Sequence, residues 1–145
     1  MANDRFNNRN QIGNQHRQQQ AARPYEALQK DNYVERAEKV IKKLEGNLPT
    51  TSQIRNILSM LNQIYNDVLV STDVMLSKEV QSQLRYLKVK LIYAAGRDAK
   101  VKAFLTESQI DRHLDEIGNN REAFILYSRY MEALVAYHKF YGGRD

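Results

Sequence analysis

The stretch LRYLKVKLIYAAGRD runs from Leu84 to Asp98 and carries the clearest helical pattern in the chain. Apolar residues recur in it at intervals of three or four, the spacing of one face of an α-helix. At about 100° per residue, that face is formed by Leu84, Leu87, Leu91 and Ala95. Such a face has to be buried against other elements, so the stretch predicts one helix of a helical bundle.

The opposite face of this helix is basic and aromatic. It carries four residues at i, i+4, i+7 and i+11, here called the ridge: Tyr86, Lys90, Tyr93 and Arg97. Lysine and arginine offer cations to phosphate and sugar oxygens, and tyrosine rings offer planes for stacking. Alternatively, the tyrosines pack against another helix and the cations lie at its rim. Arg85 falls on the flank, and Lys88 falls at the inner edge, where its stem must follow the core boundary.

The rest of the chain after Pro24 shows similar helical spacing, interrupted by glycine, proline and hydroxyl residues. T-x-x-Q pairs, which suit a capping box, occur at Thr50 with Gln53 and at Thr106 with Gln109. No segment alternates with period two. We therefore predict an all-α fold, a single compact bundle of about five helices in residues 24–145. The first predicted helix ends at Gly46. The next two run from Ser52 to Val68 and from Ser77 to Ala95, and a shorter helix follows to Leu105. The last two run from Ile110 to Ile117 and from Asn119 to Gly142.

Residues 1–23 differ from the remainder in composition. They are rich in asparagine and glutamine, contain almost no aliphatic residues, and include the four arginines Arg5, Arg9, Arg17 and Arg23. Such a segment buries too little apolar surface to offset the entropy lost on ordering. We predict a disordered, flexible basic tail. It acts either as a loose electrostatic tether for nucleic acid or as a tail without a task.

The composition of the 145-residue chain limits the classes of protein to consider. The formal net charge of +5 favours polyanionic partners without naming one. The chain has no cysteine, which excludes disulfides and thiolate metal sites and favours a reducing compartment. No apolar run is long enough for a secretory signal or a membrane span. We expect a cytoplasmic protein with no membrane partner.

The residues needed for catalysis do not form a recognisable pattern. The three histidines are His16, His113 and His138, and none has a second histidine at the i+3 or i+4 position that helical zinc sites use. The chain has no glycine-rich phosphate loop of the G-x-x-x-x-G-K-[ST] or G-x-G-x-x-G type and no G-x-S-x-G elbow. We therefore expect a protein without a catalytic site, a metal site or a cofactor.

Two further features suggest binding surfaces. Arg55 lies one turn into the second helix, where the helix dipole disfavours a cation, so an anion such as phosphate is one possible partner and a nearby carboxylate is another. The last helix carries more aromatic residues than one core can easily bury, which predicts a protein interface. The interface candidates are Tyr130, Tyr137, Phe140 and Tyr141. Lys139, near the end of this helix, already suits the helix dipole.

Three stretches, taken together and in this order, resemble the small subunit of the type III-A CRISPR-Cas effector (Csm) complex. They are LPTTSQIRN at Leu48–Asn56, YLKVK at Tyr86–Lys90 with YAAGR at Tyr93–Arg97, and YMEALVAYHKFY at Tyr130–Tyr141. The resemblance spans about Leu48 to Tyr141 and does not extend to the N-terminal third.

The resemblance implies a noncatalytic helical subunit, stacked in several copies as an inner filament along a guide RNA–target RNA duplex. The family's small subunit contacts the RNA backbone without reading sequence, and cutting belongs to the backbone repeat subunit and the large subunit. By matching position, the RNA contacts implied are Arg55, Lys88, Lys90 and Arg97, with Arg85 and Lys139 as further candidates and Tyr86 and Tyr93 as stacking or packing residues. A bundle that only docks neighbouring proteins is the competing hypothesis.

Overall fold

The computed structural model describes residues 24–143, which form helices joined by loops. Six helices follow one another: α1 Tyr33–Lys43, α2 Thr51–Val70, α3 Lys78–Arg97, α4 Ala99–Ser108, α5 Ile110–Ile117 and α6 Arg121–Phe140. No strand occurs among the described residues, and the only β-type pairing there is one bridge between Met75 and Asn120. The predicted all-α class is confirmed, with six helices rather than five. The predicted tail, residues 1–23, lies outside the described residues.

The capping signal before α2 is confirmed. The Thr50 side chain accepts a hydrogen bond from the Gln53 backbone N–H at 3.2 Å, and the Gln53 side chain accepts one from the Thr50 N–H at 2.9 Å. The two bonds satisfy donors that a helix start would otherwise leave without partners. Ser77 caps α3 in the simpler way, by accepting from the Val80 N–H at 3.1 Å.

The second capping signal was interpreted wrongly. Thr106 lies inside α4, where its hydroxyl donates back to the Lys102 carbonyl at 2.9 Å. Gln109 precedes α5 in a left-handed conformation, with φ of 58°, and its side chain does not cap that helix. The Gln109 amide instead binds backbone groups of Pro24 and Glu26, at 3.1 and 3.3 Å. The Gln109 side chain therefore binds segments distant in sequence instead of capping α5.

The boundaries around α4 and α6 also differ from the prediction. Asp98 begins α4, because its carboxylate accepts from the backbone N–H groups of Lys100 and Val101 at 2.9 and 3.1 Å. The hydrogen bond from the Val101 N–H, followed by those from the Gln53 amide and the Lys100 N–H, stabilises the charged carboxylate and lowers the Asp98 pKa. The cap of α6 is Asn120 rather than Asn119, since its side chain accepts from the Ala123 N–H at 3.1 Å.

Helix α6 packs against α1, α2 and α5, and its aromatic residues are central to the core. Tyr127 and Tyr130 are 1% and 0% exposed. The Tyr130 hydroxyl donates to the Ser108 carbonyl at 2.9 Å. The assignment of Tyr130 to a protein interface was therefore wrong, because its ring faces inward and its hydroxyl already has a partner.

The C-terminal end of α6 is closed by a tight contact around His138. The buried His138 ring donates through Nε2 to the Pro49 carbonyl at 2.7 Å. A Cβ atom on Gly143 would lie only 2.0 Å from this ring, so only glycine fits there. His138 therefore serves the packing of α6 against the start of α2.

Candidate nucleic-acid interface

The ridge lies on the outer face of α3, where the sequence predicted it. Tyr86 and Tyr93 are 61% and 65% exposed, and Lys90 and Arg97 are exposed beside them. The opposite face holds Leu84, Leu87, Leu91 and Ala95, all buried in the core. Burial of this apolar face therefore leaves the four ridge residues facing solvent. The alternative in which the ridge tyrosines pack against another helix does not hold within the described residues.

Each ridge cation lies over one face of a ridge tyrosine. The Lys90 ammonium is 4.8 Å from the centre of the Tyr86 ring, and the Arg97 guanidinium is 5.6 Å from that of Tyr93. Such pairs hold the cation near the ring while leaving its N–H donors accessible to an anion. The other face of each ring is then the one available for stacking.

The cations on the outside of α3 have no carboxylate partners within residues 24–143. Lys90, Arg97 and Arg85 are exposed, and none has an acidic group within 4.0 Å there. Uncompensated cations along one helix create the positive potential that attracts a phosphate backbone. Val89 and Ile92 are 61% and 49% exposed on the same helix, which adds apolar surface beside the cations.

Lys88 differs from the other candidate RNA contacts. Its ammonium lies 2.7 Å from both carboxylate oxygens of Asp115 on α5. The predicted position at the inner edge of α3 is explained by this ion pair, which joins the two helices. RNA contact by Lys88 would have to share or break it.

Arg55 is exposed one turn into α2 and has no ion pair within the described residues. Two residues earlier, the Gln53 amide donates to the Asp98 carboxylate at 3.1 Å, and Asp98 directly follows Arg97. The start of α2 and the end of α3 therefore meet at one end of the bundle. Arg55 and Arg97 lie at that end, so both are available to one extended polyanion.

The C-terminal aromatic cluster, Tyr137, Phe140 and Tyr141, forms a separate surface. Phe140 is 77% exposed, and its ring centre is 5.0 Å from that of Tyr141. Tyr141 also stacks on Tyr137 at 6.2 Å and donates a hydrogen bond to Glu38 at 3.3 Å. The half-buried tyrosines thus support Phe140, which is left facing solvent. Lys139 is exposed on the same turn.

No acidic or histidine cluster that could hold a metal ion occurs in the part of the chain that the structure describes. His113 is buried, with Nδ1 3.0 Å from the Tyr25 hydroxyl and Nε2 3.5 Å from the Arg36 guanidinium. Burial, followed by the charges of Arg36 and Arg112, lowers the pKa of His113 to about 4. A neutral ring fits this setting, since Arg36 can only donate to Nε2.

A groove beside the ridge was not predicted. It lies between α2 and α3, and its lining includes Asp67, Gln83 and Lys90. Asp67 and Gln83 lie on different helices, and no spacing in the sequence relates them. Only the packing of α2 on α3 could reveal them as neighbours. None of the described helices combines the length and apolar character required to cross a bilayer.

Comparison with known proteins identifies the family of the chain. A sequence model of the family "Csm2 Type III-A" matches residues 27–144. The protein "CRISPR system Cms protein Csm2" of Streptococcus thermophilus is 43% identical over 123 residues, covering 81% of this chain and 98% of the relative. The Mycobacterium tuberculosis protein of the same description is 34% identical over 118 residues, covering 79% of this chain and 95% of the relative. The chain therefore belongs to the Csm2 type III-A family, the small subunit of the type III-A CRISPR effector (Csm) complex.

Proposed function

We propose that the chain is a noncatalytic subunit that contacts the backbone of a guide RNA–target RNA duplex through the outer face of α3. The observation that carries the proposal is the ridge, with exposed Lys90 and Arg97 lacking carboxylate partners among the described residues. Family membership supports a place in an RNA-guided effector. The ridge, extended by Arg85 and Arg55, supplies the contact surface.

The shape and chemistry of the ridge suit backbone contact. From Tyr86 to Arg97 it extends about 16 Å along one straight helix, at roughly 1.5 Å per residue. A-form duplexes present phosphates and 2′-hydroxyls at their surface, while base pairing occupies the Watson–Crick edges. Lysine and arginine at helical spacing can therefore meet several backbone groups without reading sequence. Lys88 also contacts the backbone if the duplex displaces Asp115. Lys139, which lies on α6, is a further candidate.

The proposed partners are those of an effector subunit: guide RNA and target RNA, the backbone repeat subunit, the large subunit and further copies of this chain. Copies stacked side by side would form an inner filament and align their ridges along the duplex. Repeated weak contacts in such a filament give a high effective concentration, so each ridge needs only modest affinity. The proposed location of this assembly is the cytoplasm.

Replacement of a ridge cation and of Arg55 tests the proposal in the full chain. Arg97→Ala and Arg55→Ala should each weaken binding to RNA duplexes of unrelated sequence by similar factors. Each should also reduce the slope of log K against log salt by about one, as expected for one lost phosphate contact. Lys39→Ala is the matched control, because Lys39 is an exposed cation on α1, a helix that packs on α4 and α6. It should change the affinity much less.

Two results would contradict backbone contact by the ridge. One is a variant that changes which sequences bind while leaving the salt dependence intact. The other is equal weakening by Lys39→Ala and Arg97→Ala, which would indicate attraction by net charge alone. Titration of fluorescent duplexes at several salt concentrations measures both quantities.

A second candidate function is protein docking without RNA contact, which the exposure of Phe140 favours. Under this hypothesis, Phe140→Ala or Tyr137→Ala disrupts assembly with the other subunits. Lys90→Ala and Arg97→Ala then leave RNA protection in the assembled complex unchanged. Co-purification and nuclease protection of the same complexes distinguish the two functions.

A further inference from the structure

A groove of about 240 Å³ separates α2 from α3 along the first half of the ridge. Its apolar lining comes from Met60, Ile64 and Leu87, of which Ile64 and Leu87 belong to the buried core. Tyr86 and Lys90 form the side of the groove that it shares with the ridge. An anion-binding ridge and an apolar slot are therefore directly adjacent.

Two acceptor groups in the lining of the groove lack partners within the described residues. The Gln83 side-chain oxygen is shielded from solvent and accepts no hydrogen bond. Asp67 is exposed and has no cation within 4.0 Å. Because the terminal torsion of glutamine is soft, the Gln83 amide can turn toward the groove without losing a hydrogen bond. The groove thus offers two groups that accept hydrogen bonds.

These acceptors argue against phosphate as the occupant. A phosphate seated inside the groove would meet the carboxylate of Asp67 and be repelled by it. An amino group suits the site instead, since carboxylate and amide oxygens accept from the exocyclic amines of nucleobases. The apolar lining and the free face of Tyr86 then match the flat surfaces of an aromatic ring.

Resting on the proposed RNA contact, we propose that this groove holds one unpaired nucleobase carrying an exocyclic amino group, while the phosphate of that nucleotide stays outside the groove, on the ridge side of Lys90. The base must be unpaired, because pairing would occupy the edge that Asp67 and Gln83 recognise. A site of this size is smaller than the ~300–1,000 Å³ typical of pockets for larger ligands, which fits a single ring system. The ridge then contacts backbone, and the groove selects a base displaced from the duplex.

Single-stranded oligonucleotides with the full-length chain provide the test. Oligo-cytidine and oligo-adenosine should bind about three- to tenfold more tightly than oligo-uridine or an abasic ribose-phosphate chain, as expected for one or two hydrogen bonds and a stacking contact. Asp67→Ala and Gln83→Leu should each remove most of this preference, and the charge-neutral Gln83→Leu should leave oligo-uridine binding nearly unchanged. Asp31→Ala is the charge-matched control, since Asp31 is exposed ahead of α1.

The outcomes separate this site from the ridge. If Arg97→Ala weakens binding to every oligonucleotide but cytidine and uridine bind equally, the base site is overturned and the backbone contact stands. If no RNA binds, both are overturned. If base preference is absent and Asp67→Ala instead releases the other subunits from the complex, the groove belongs to a protein contact and the proposal fails.

Discussion

The tyrosines of α3 and those of α6 are the same residue type placed in opposite environments. Tyr86 and Tyr93 on α3 are more than half exposed, whereas Tyr127 and Tyr130 on α6 are buried. The aliphatic residues around them explain the difference. On α3, leucine and alanine occupy the inner face and displace the tyrosines outward, whereas on α6 Phe124, Met131 and Leu134 share the inner face with them.

This contrast shows that an aromatic residue on a helix is not evidence of function by itself. Its phase relative to the aliphatic stripe decides whether it packs or faces a partner. The cations next to these rings are divided in the same way. Exposed Lys90 and Arg97 lie over the exposed rings, whereas half-buried Arg36 lies 5.9 Å from the centre of the buried Tyr130 ring. We therefore expect variants of the two tyrosine sets to affect different properties.

The largest expected effect comes from removal of a buried α6 ring. Tyr130→Ala should lower the free energy of unfolding by about 3–5 kcal/mol, because it leaves a cavity and an unpaired Ser108 carbonyl. Tyr93→Ala should change it by no more than about 0.5 kcal/mol, as surface substitutions generally do. Urea unfolding followed by circular dichroism measures both. Similar losses for the two variants would show that the ridge is part of the folded core.

A pair of milder variants covers the case in which Tyr130→Ala does not fold. Tyr130→Phe keeps the ring and removes only the hydrogen bond to Ser108, so it should cost about 1 kcal/mol. Tyr127→Phe should be neutral or stabilising, since no described group pairs with the buried Tyr127 hydroxyl. Equal destabilisation by both would mean that the Tyr127 hydroxyl does have a partner.

The division between the two faces of α3 could be predicted from sequence, because it depends only on spacing within one helix. The helix from Ile110 to Ile117 and the Thr50 cap were predictable for the same reason, since each involves residues close in the chain. Tyr130 was misassigned because the number of aromatic rings a core accepts depends on how α1, α2 and α5 surround α6. The Gln109 contact with Pro24 depends likewise on packing between distant segments.

A smaller effect on stability is expected from pH, through the buried residue His113. The folded-state pKa of His113 is about 4, below the ordinary value of 6.5, so the unfolded chain binds a proton between these values that the folded chain does not. Stability is therefore greatest above pH 6.5 and falls as pH decreases toward 4. From pH 7 to pH 5 the loss due to His113 should be on the order of 1 kcal/mol, after allowance for solvent screening.

Comparison of the native chain with His113→Gln isolates this contribution. The variant is less stable at pH 7, because the ring contacts with Tyr25 and Tyr130 are lost, but it should lose less further stability between pH 7 and pH 5. Arg97→Ala, a ridge variant, should keep the native pH dependence. An unchanged pH dependence in His113→Gln would show that other groups account for the loss.

The smallest expected effect lies at the border between the two faces, where Lys88 pairs with Asp115. Spacing within α3 predicts the position of Lys88 at this border but not its partner Asp115, which comes from α5. An ion pair between partly exposed groups contributes about 0–1 kcal/mol, so Asp115→Asn should change stability little. It should, however, free the Lys88 ammonium for phosphate and tighten binding to RNA duplexes about two- to threefold.

Glu116→Gln removes the same charge from the neighbouring exposed position and is the matched control. A larger gain in affinity and in salt slope for Asp115→Asn than for Glu116→Gln would place Lys88 among the RNA contacts. Equal gains would limit Lys88 to joining α3 and α5.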